Sequence, residues 1–261
     1  MNKDGTVIKK TIVLSFMAVF MMFGLSSLCF EAVAAERDVH EKSDPLEPFN
    51  RAMFRFNYEV DRFVLKPVAK GYRNVTNKEV RKSVGNAIAN LKEPISFANH
   101  ILQLKPKEAT ISLGRFAVNS TLGLAGLFDV ATGWGWTNVY ATFDKTRAHW
   151  CVPDGPYLVL PFVGPTTPRN SVGRFVDSFA DPVYWATEDH DDGLYAYAAY
   201  LGVQAVVFRE ATLELMEGFE RDSVDLYATM RSAYIQNRMQ YRCGAQDEQA
   251  SSYDFDFDIE D

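Results

Sequence analysis

Residues 155–177, GPYLVLPFVGPTTPRNSVGRFVD, set the terms for the rest of the chain. The run 157–163 is apolar but contains Pro161, and Gly164, Pro165 and Pro168 close it off. Proline donates no backbone hydrogen bond and its ring is excluded from a helix interior, so this run is extended or irregular, not helical. Residues 165–168 form a rigid turn, and an amphipathic pattern resumes at Ser171. Apolar residues without a regular hydrogen-bonded home need burial, either in a core made by flanking helices or in lipid. The remaining chain reads as helices arranged around this insert.

The chain opens with a targeting segment. Lys3, Lys9 and Lys10 form a charged start, 11–25 is an apolar stretch too short to span a membrane comfortably, and small residues follow at 32–35. This predicts a secretory signal over 1–34, cleaved after Ala34. A rival reading lipidates Cys29, but a lipobox wants a small residue directly before the cysteine and Leu28 is not one, so lipidation is disfavoured. Either way the protein leaves the cytoplasm. What remains is about 225 residues, enough for one domain with a real core. The formal charge is −7 and no basic run is present, which argues against nucleic acid as a partner. Aromatic residues reach 13%, a content that suits an interfacial protein. Cys151 and Cys243 remain after cleavage; in an oxidising compartment a disulfide and two buried thiols are both open.

After a polar linker over 35–43, Asp44 and Pro45 open a helix, Asp44 as cap and Pro45 at its first position. Along 46–65, Leu46, Phe49, Met53, Phe56, Val60, Phe63 and Val64 recur at threes and fours, and Phe54, Tyr58 and Leu65 widen that face. Such a helix is either central to a core or touches protein on one side and lipid on the other. Pro67 is expected to break it, and 68–72 to form a short turn. Thr76 with Glu79 reads as a capping box for a helix over 77–91, ended by Glu93 and Pro94 at a corner before a second piece over 95–104. Lys78, Arg81, Lys82 and Lys92 on its polar side make an ordinary solvated face. A helix over 107–122 follows, then a turn over 127–131.

Trp134 and Trp136 sit on a glycine-flanked loop that suits a membrane–water interface or packs back onto the domain. A short helix over 143–150 leads into the insert, and Asp181 and Pro182 open a turn beyond it. Helices are predicted over 193–207 and 208–239, and 245–261 is an acidic tail without helical pattern, expected to be disordered. Enzyme motifs are missing: no GxSxG, HExxH, paired CxxC or phosphate-cradling glycine loop occurs. His149 and Asp154 have the spacing of an acyltransferase dyad, in which the carboxylate orients a general base, but they precede a Pro-Asp-Gly turn. Residues 188–192, EDHDD, hold ligand-type side chains, yet neighbours in sequence point in different directions and read as a solvated loop. No metal, cofactor or catalytic residue is expected.

A set of blocks then carries a resemblance. DPLEPFNRAMFRFN at 44–57, NLKEP at 90–94, Arg115-Phe116 with NSTLG at 119–123, and GLFDVA at 126–131 resemble the MlaA/VacJ family of outer-membrane lipoproteins. Gly155-Pro156-Tyr157 through Leu160-Pro161-Phe162 and GPTTPR at 164–169 complete the set, in order, across a domain taken as 44–244. The resemblance implies an all-α, ring-like bundle of amphipathic helices, with a short irregular apolar insert, lying in the inner leaflet of the outer membrane on its periplasmic side. It implies removal of phospholipid mislocalised to the outer leaflet through an amphipathic channel, handed to a soluble periplasmic lipid carrier, in association with a trimeric porin. It carries no enzyme activity. The sequence departs from the family at a poor lipobox and at Asp144 and Cys151, where glycines are usual, so the geometry around 143–152 is expected to differ.

Under that reading Phe49, Phe54, Phe56, Tyr157, Leu160 and Phe162 are the lipid-path or membrane-facing candidates, and Arg51, Arg55 and Arg169 the candidates to steer a headgroup. The alternative is an exported helical scaffold that tethers porins or envelope components and moves no lipid.

Overall fold

In a computed structural model of the protein the structure describes residues 44–239 and 241, within a compact unit that begins at Asp44. The signal over 1–34 with Cys29, the linker over 35–43, and the tail over 245–261 with Cys243 before it lie outside the described residues. The described chain is helical apart from one hairpin.

The first helix, α1 (Glu47–Val60), passes through a π-helical turn at Asp61–Leu65 directly into α2 (Lys66–Val75). The break expected at Pro67 does not occur. Proline would press its ring against the carbonyl four residues back and has no N–H to offer; the wider turn, closed by Lys66 N–H onto the Asp61 carbonyl, makes room for it. The start also differs. Asp44 and Pro45 precede the helix, Pro48 stands in its first turn, and Asp44 accepts from Leu46 N–H at 3.3 Å and Asn50 Nδ2 at 2.8 Å.

The next helix, α3 (Lys78–Leu102), runs through Pro94 as one element instead of turning a corner. Its side chains on both flanks of Pro94 are buried (Glu93, Ile95, Ser96, Asn99), and that packing outweighs one missing intrahelical bond. The cap is Asn77, accepting from Val80 N–H at 2.8 Å, while Thr76 donates back to the Tyr72 carbonyl. After a short connection α4 (Pro106–Thr121) returns antiparallel to α3, with Arg115 opposite Glu93 and Ser120 opposite Asn90. Two short helices follow, α5 (Val130–Gly133) capped by Asp129 and α6 (Phe143–His149) capped by Thr142.

The insert is a regular antiparallel hairpin, β1 (Leu158–Leu160) with β2 (Gly164–Thr166), in the register Leu158 with Thr166, Val159 with Pro165 and Leu160 with Gly164. Extended backbone was expected; the ladder was not. Val159 turns its N–H away from β2, so the proline opposite it costs the ladder nothing. Beyond the hairpin come α7 (Pro168–Ala180) capped by Thr167, α8 (Pro182–Glu188) capped by Asp181, and α9 (Gly193–Ala211). The long final helix expected over 208–239 is two, α10 (Leu213–Asp222) and α11 (Leu226–Met239). Thr212 separates α9 from α10, its hydroxyl and N–H both on the Phe208 carbonyl, and Asp225 starts α11 by accepting from Ala228 N–H.

The outer edge of β1 finds its partners on α1. Asn50 donates to the Tyr157 carbonyl at 3.1 Å and accepts from Val159 N–H at 2.8 Å. Asn57 donates to the Leu160 carbonyl at 2.8 Å and accepts from Phe162 N–H at 2.7 Å. Seven helical residues advance about 10.5 Å and three extended residues about 10 Å, so two asparagines seven apart meet successive sites on the hairpin. Tyr157, Val159 and Tyr227 form the apolar core here, with Met53, Phe54 and Tyr234 packed against them.

Replacing Asn50, which is fully buried, with Ala strands the Tyr157 carbonyl and Val159 N–H without partners. The expected loss is about 2–4 kcal/mol, read from denaturant midpoints in mild detergent. An unchanged midpoint would show that the hairpin is held by its apolar contacts alone.

Candidate functional site

Burial in this protein runs opposite to a soluble domain. Among the described residues the buried set is mainly polar and charged, with Glu93 and Asn50 among the largest side chains fully enclosed, and nearly half of the buried hydrophobics are alanines. Large apolar side chains face outward instead. On α1 the two sets share a helix at one spacing. Phe49 and Phe56, with Phe63 in the π turn, form an exposed stripe at intervals of seven, while Asn50 and Asn57 beside them point to the hairpin. Phe162, at the hairpin tip and 79% exposed, stands edge-on against Phe56 with centroids 5.2 Å apart. Its φ of 61° is a left-handed conformation rare for a bulky residue, and Asn57 holds its N–H there.

Exposed indoles behave the same way. Trp150 and Trp185 show their rings to the outside yet donate their N–H inward, to the Leu102 carbonyl at 3.0 Å and the Phe179 carbonyl at 2.6 Å. Their outer faces therefore need no water. Trp136 packs onto α4, where a Cβ on Gly114 would come within 2.8 Å of its ring, and Trp134 stands edge-on to it and exposed. The tryptophan loop thus both packs on the domain and presents an indole outward.

The candidate residues separate on inspection. Phe49, Phe56 and Phe162 belong to the exposed strip, and Leu160 is half-buried beneath it. Phe54 turns inward, edge-on to Tyr227 at 5.6 Å, and Tyr157 is 3% exposed in the core. Arg51 is tied to Glu47 and Asp225 and lies over the Tyr227 ring. Arg55 is exposed and forms no ion pair among the described residues. Arg169 does not face solvent at all: it is enclosed in a four-membered ionic frame.

That frame joins α6, the loop after it, α7 and α11. Asp144 receives Arg169 Nε at 3.0 Å and both Nη atoms of Arg238; Asp154 receives Arg238, Arg169 at 3.4 Å and the Thr167 hydroxyl at 2.8 Å. Burial alone would raise the Asp144 pKa, but the bonds from Arg238 and the charge of Arg169 hold it below the usual carboxylate range. α6 and α7 approach closely enough that a Cβ on Gly173 would lie 2.7 Å from the Asp144 nitrogen. A second buried group pairs Arg115 with Glu93 at 2.7 Å and with Asp129 at 3.0 Å, and burial pushes the Glu93 carboxyl up against the pull of Arg115. A third pairs Arg209 with Asp61 of the π turn at 2.6 Å. Cys151 sits at φ 61°, a conformation in which glycine is at ease, and is disulfide-bonded to a partner outside the described residues.

Two chemical readings lose their geometry. Asp154 is engaged by Arg238, Arg169 and Thr167 and takes no bond from His149, which is exposed against Trp150. Residues 188–192 are all exposed, and no group of three or more metal-ligating side chains occurs among the described residues. None of the described helices is long and apolar enough to cross a membrane.

Sequence reasoning passed over Arg174. It lies on α7 five residues beyond Arg169, is accessible, and makes one long contact, 3.5 Å, to the Val163 carbonyl. Nothing in the residue pattern separates an arginine enclosed in carboxylates from one left open; only the placement of Asp144 and Asp154 does so.

The family model for the MlaA lipoprotein matches residues 42–241. An intermembrane phospholipid transport system lipoprotein of Haemophilus influenzae is 37% identical over 219 residues, covering 82% of this chain and 86% of that one. Its counterpart from Escherichia coli K12 is 32% identical over 216 residues, with coverage of 81% and 83%. An uncharacterized protein of Rickettsia typhi is 36% identical over 200 residues, with coverage of 76% and 77%. A chain solved in work on the structural basis for maintenance of bacterial outer membrane lipid asymmetry superposes with a TM-score of 0.66 at 34% identity, over 76% of this chain and 98% of that one.

Two outcomes follow for the frame. Arg238→Gln leaves Asp144 and Asp154 with Arg169 as their one shared cation, an excess of buried negative charge, and is expected to cost about 3–5 kcal/mol in denaturant unfolding. Asp177, which receives Phe143 N–H and Asn99, is pushed by burial to a pKa of about 6 from 3.8. The folded state therefore holds this proton more tightly, so its stabilisation is complete below pH 3.8 and is lost as pH rises through 6. Unfolding free energies of Asp177→Asn against the parent, compared between pH 4 and 6.5, should diverge by about 2–3 kcal/mol.

Proposed function

The chain belongs to the MlaA lipoprotein family, and from that premise we propose that it is the outer-membrane component of an intermembrane phospholipid transport system. It removes phospholipid mislocalised to the outer leaflet through an amphipathic channel, and so maintains lipid asymmetry. The single observation that carries the reading is the inverted burial: apolar side chains outside, an ionic and amide frame inside. A surface carrying Phe63 at 71% exposure and Phe162 higher still is stable against acyl chains and poorly stable against water. Helices that lie flat in one leaflet bury such faces without spanning, which agrees with the lengths of the described helices.

In this reading the helices form a ring in the inner leaflet of the outer membrane, on the periplasmic side. Phe49, Phe56 and Phe162 make the apolar strip along which acyl chains move, with Leu160 beneath. In this reading the transport role is passive, as in a transport lipoprotein family, and not enzymatic. A soluble periplasmic carrier receives the lipid and a trimeric porin is the neighbour in the membrane. An acyl anchor, if one is present, adds marginal affinity beside the embedded helices.

Phe162→Asp tests the strip without touching the core, because the ring is almost wholly exposed. With normal protein levels, cells carrying it should accumulate phospholipid in the outer leaflet, measured by labelling of surface-exposed headgroups. Unchanged surface labelling, together with no phospholipid co-purifying in mild detergent, would shift the reading to a tether that moves no lipid.

A further inference from the structure

The end of α11 lies against the loop that follows α6. Arg238, in the last turn of α11, bonds Asp144 of α6 and Asp154 of that loop. Three residues on, Tyr241 donates its N–H to the Arg238 carbonyl at 3.1 Å, and the Lys145 ammonium of α6 lies 5.0 Å from the centre of its ring. The chain at 238–241 therefore runs beside α6 and the loop over 150–156. Cys151 stands in that loop, exposed and disulfide-bonded. Two further cysteines occur in the chain, Cys29 and Cys243. Cys29 falls in the segment read as a cleaved signal, whereas Cys243 is two residues beyond Tyr241. Two extended residues reach about 7 Å and a disulfide spans about 6 Å between Cα atoms, more than the six positions from Lys145 to Cys151 demand.

The loop is also the base of the hairpin, whose first strand starts at Leu158. The Val152 carbonyl accepts from Arg169 Nη1 at 2.7 Å, the Asp154 carbonyl accepts from Arg169 N–H at 3.4 Å, and a Cβ on Gly155 would lie 3.0 Å from Pro168. These contacts set the loop on the start of α7, through the arginine that the frame encloses. Arg238 is the one member of that frame on α11. When its bonds open, two carboxylates are left to Arg169 alone. A covalent tie five residues beyond Arg238 keeps the guanidinium close to its partners, so an opened bond re-forms as an event within one small closed segment.

We propose that Cys151 and Cys243 are joined by a disulfide that latches the end of α11 to the base of the hairpin, and that thiol–disulfide exchange sets and releases this latch. In forming it the two thiols together lose two electrons and two protons. These pass to the disulfide of a thiol–disulfide oxidoreductase outside the cytoplasm, which leaves as its dithiol after a mixed disulfide with one of the two cysteines. A dithiol reductant runs the same exchange backwards, and the exposure of Cys151 gives an attacking thiolate access. The bond closes a loop of about 90 residues that takes in the hairpin and α7 to α11, so it restrains the unfolded chain as well as the folded one. The latch does not depend on the phospholipid-transport reading and stands whether or not lipid moves.

The test is peptide mapping, without reductant, of the full chain purified in mild detergent with free thiols blocked, followed by hydrogen exchange before and after dithiothreitol. The expected map joins the peptide holding Cys151 to the peptide holding Cys243 within one chain. Reduction is then expected to speed amide exchange about ten-fold or more over 150–156 and 234–239, and to leave the middle of α4 unchanged. Cys243→Ser, which alters no described residue, should show the faster exchange without reductant and no further change with it. Cys243 blocked as a free thiol, or either cysteine linked to Cys29 or to a second chain, overturns the pairing. The expected map with exchange unchanged by reduction overturns the latch. Acceleration spread evenly through all helices overturns it too, since that marks a general loss of stability.

Discussion

The ionic frame around Asp144 is the constraint on which the other elements depend. Asp144, Arg169, Arg238 and Asp154 join α6, α7, α11 and the loop before the hairpin at one enclosed point. In a soluble domain that point would be filled by leucine or phenylalanine. Here those residues are committed to the outside, so the attraction between helices must come from charge-assisted bonds inside. Such bonds hold only as a complete set, because each charge removed from water is costly unless its partners stay in place. The same logic governs Glu93, Arg115 and Asp129 between α3, α4 and the start of α5, and Arg209 with Asp61 at the π turn.

The hairpin depends on that frame and in turn positions the outer strip. Thr167 caps α7 and bonds Asp154, so the end of β2 is fixed to the frame. From there the hairpin runs back along α1, where Asn50 and Asn57 take its outer edge. Phe56 and Phe162 meet because Asn57, next to Phe56 in sequence, holds the backbone of Phe162. One helix spacing therefore supplies an amide face toward the hairpin and an exposed aromatic face beside it. The hairpin also lies beside α7, where Arg174 approaches the Val163 carbonyl at 3.5 Å.

Much of this was legible in residue order, and the misreadings share a cause. The helical period of α1 and the extended backbone at 157–163 follow from local rules, and Asp181 with Pro182, read as opening a turn, starts a short helix. The breaks placed at Pro67 and Pro94 did not follow, because a proline's local penalty is a few kcal/mol and a π turn or packing on both flanks offsets it. The arginines show the same limit. Arg169 and Arg174 stand on one helix with similar neighbours in sequence, yet the first is sealed among carboxylates and the second is open.

By itself, then, the sequence determined that the chain is helical around one extended insert, that its aromatic content suits an interface, and that it belongs among the outer-membrane lipoproteins its blocks resemble. These rest on periodicity and on backbone chemistry, which are local. The tertiary structure decided which polar groups are enclosed, that the insert closes into a hairpin on two asparagines, and which arginine is sealed among carboxylates. Those outcomes depend on residues such as Asp61 and Arg209, 148 positions apart, meeting in space, and no local spacing encodes which of several like side chains will find the partner.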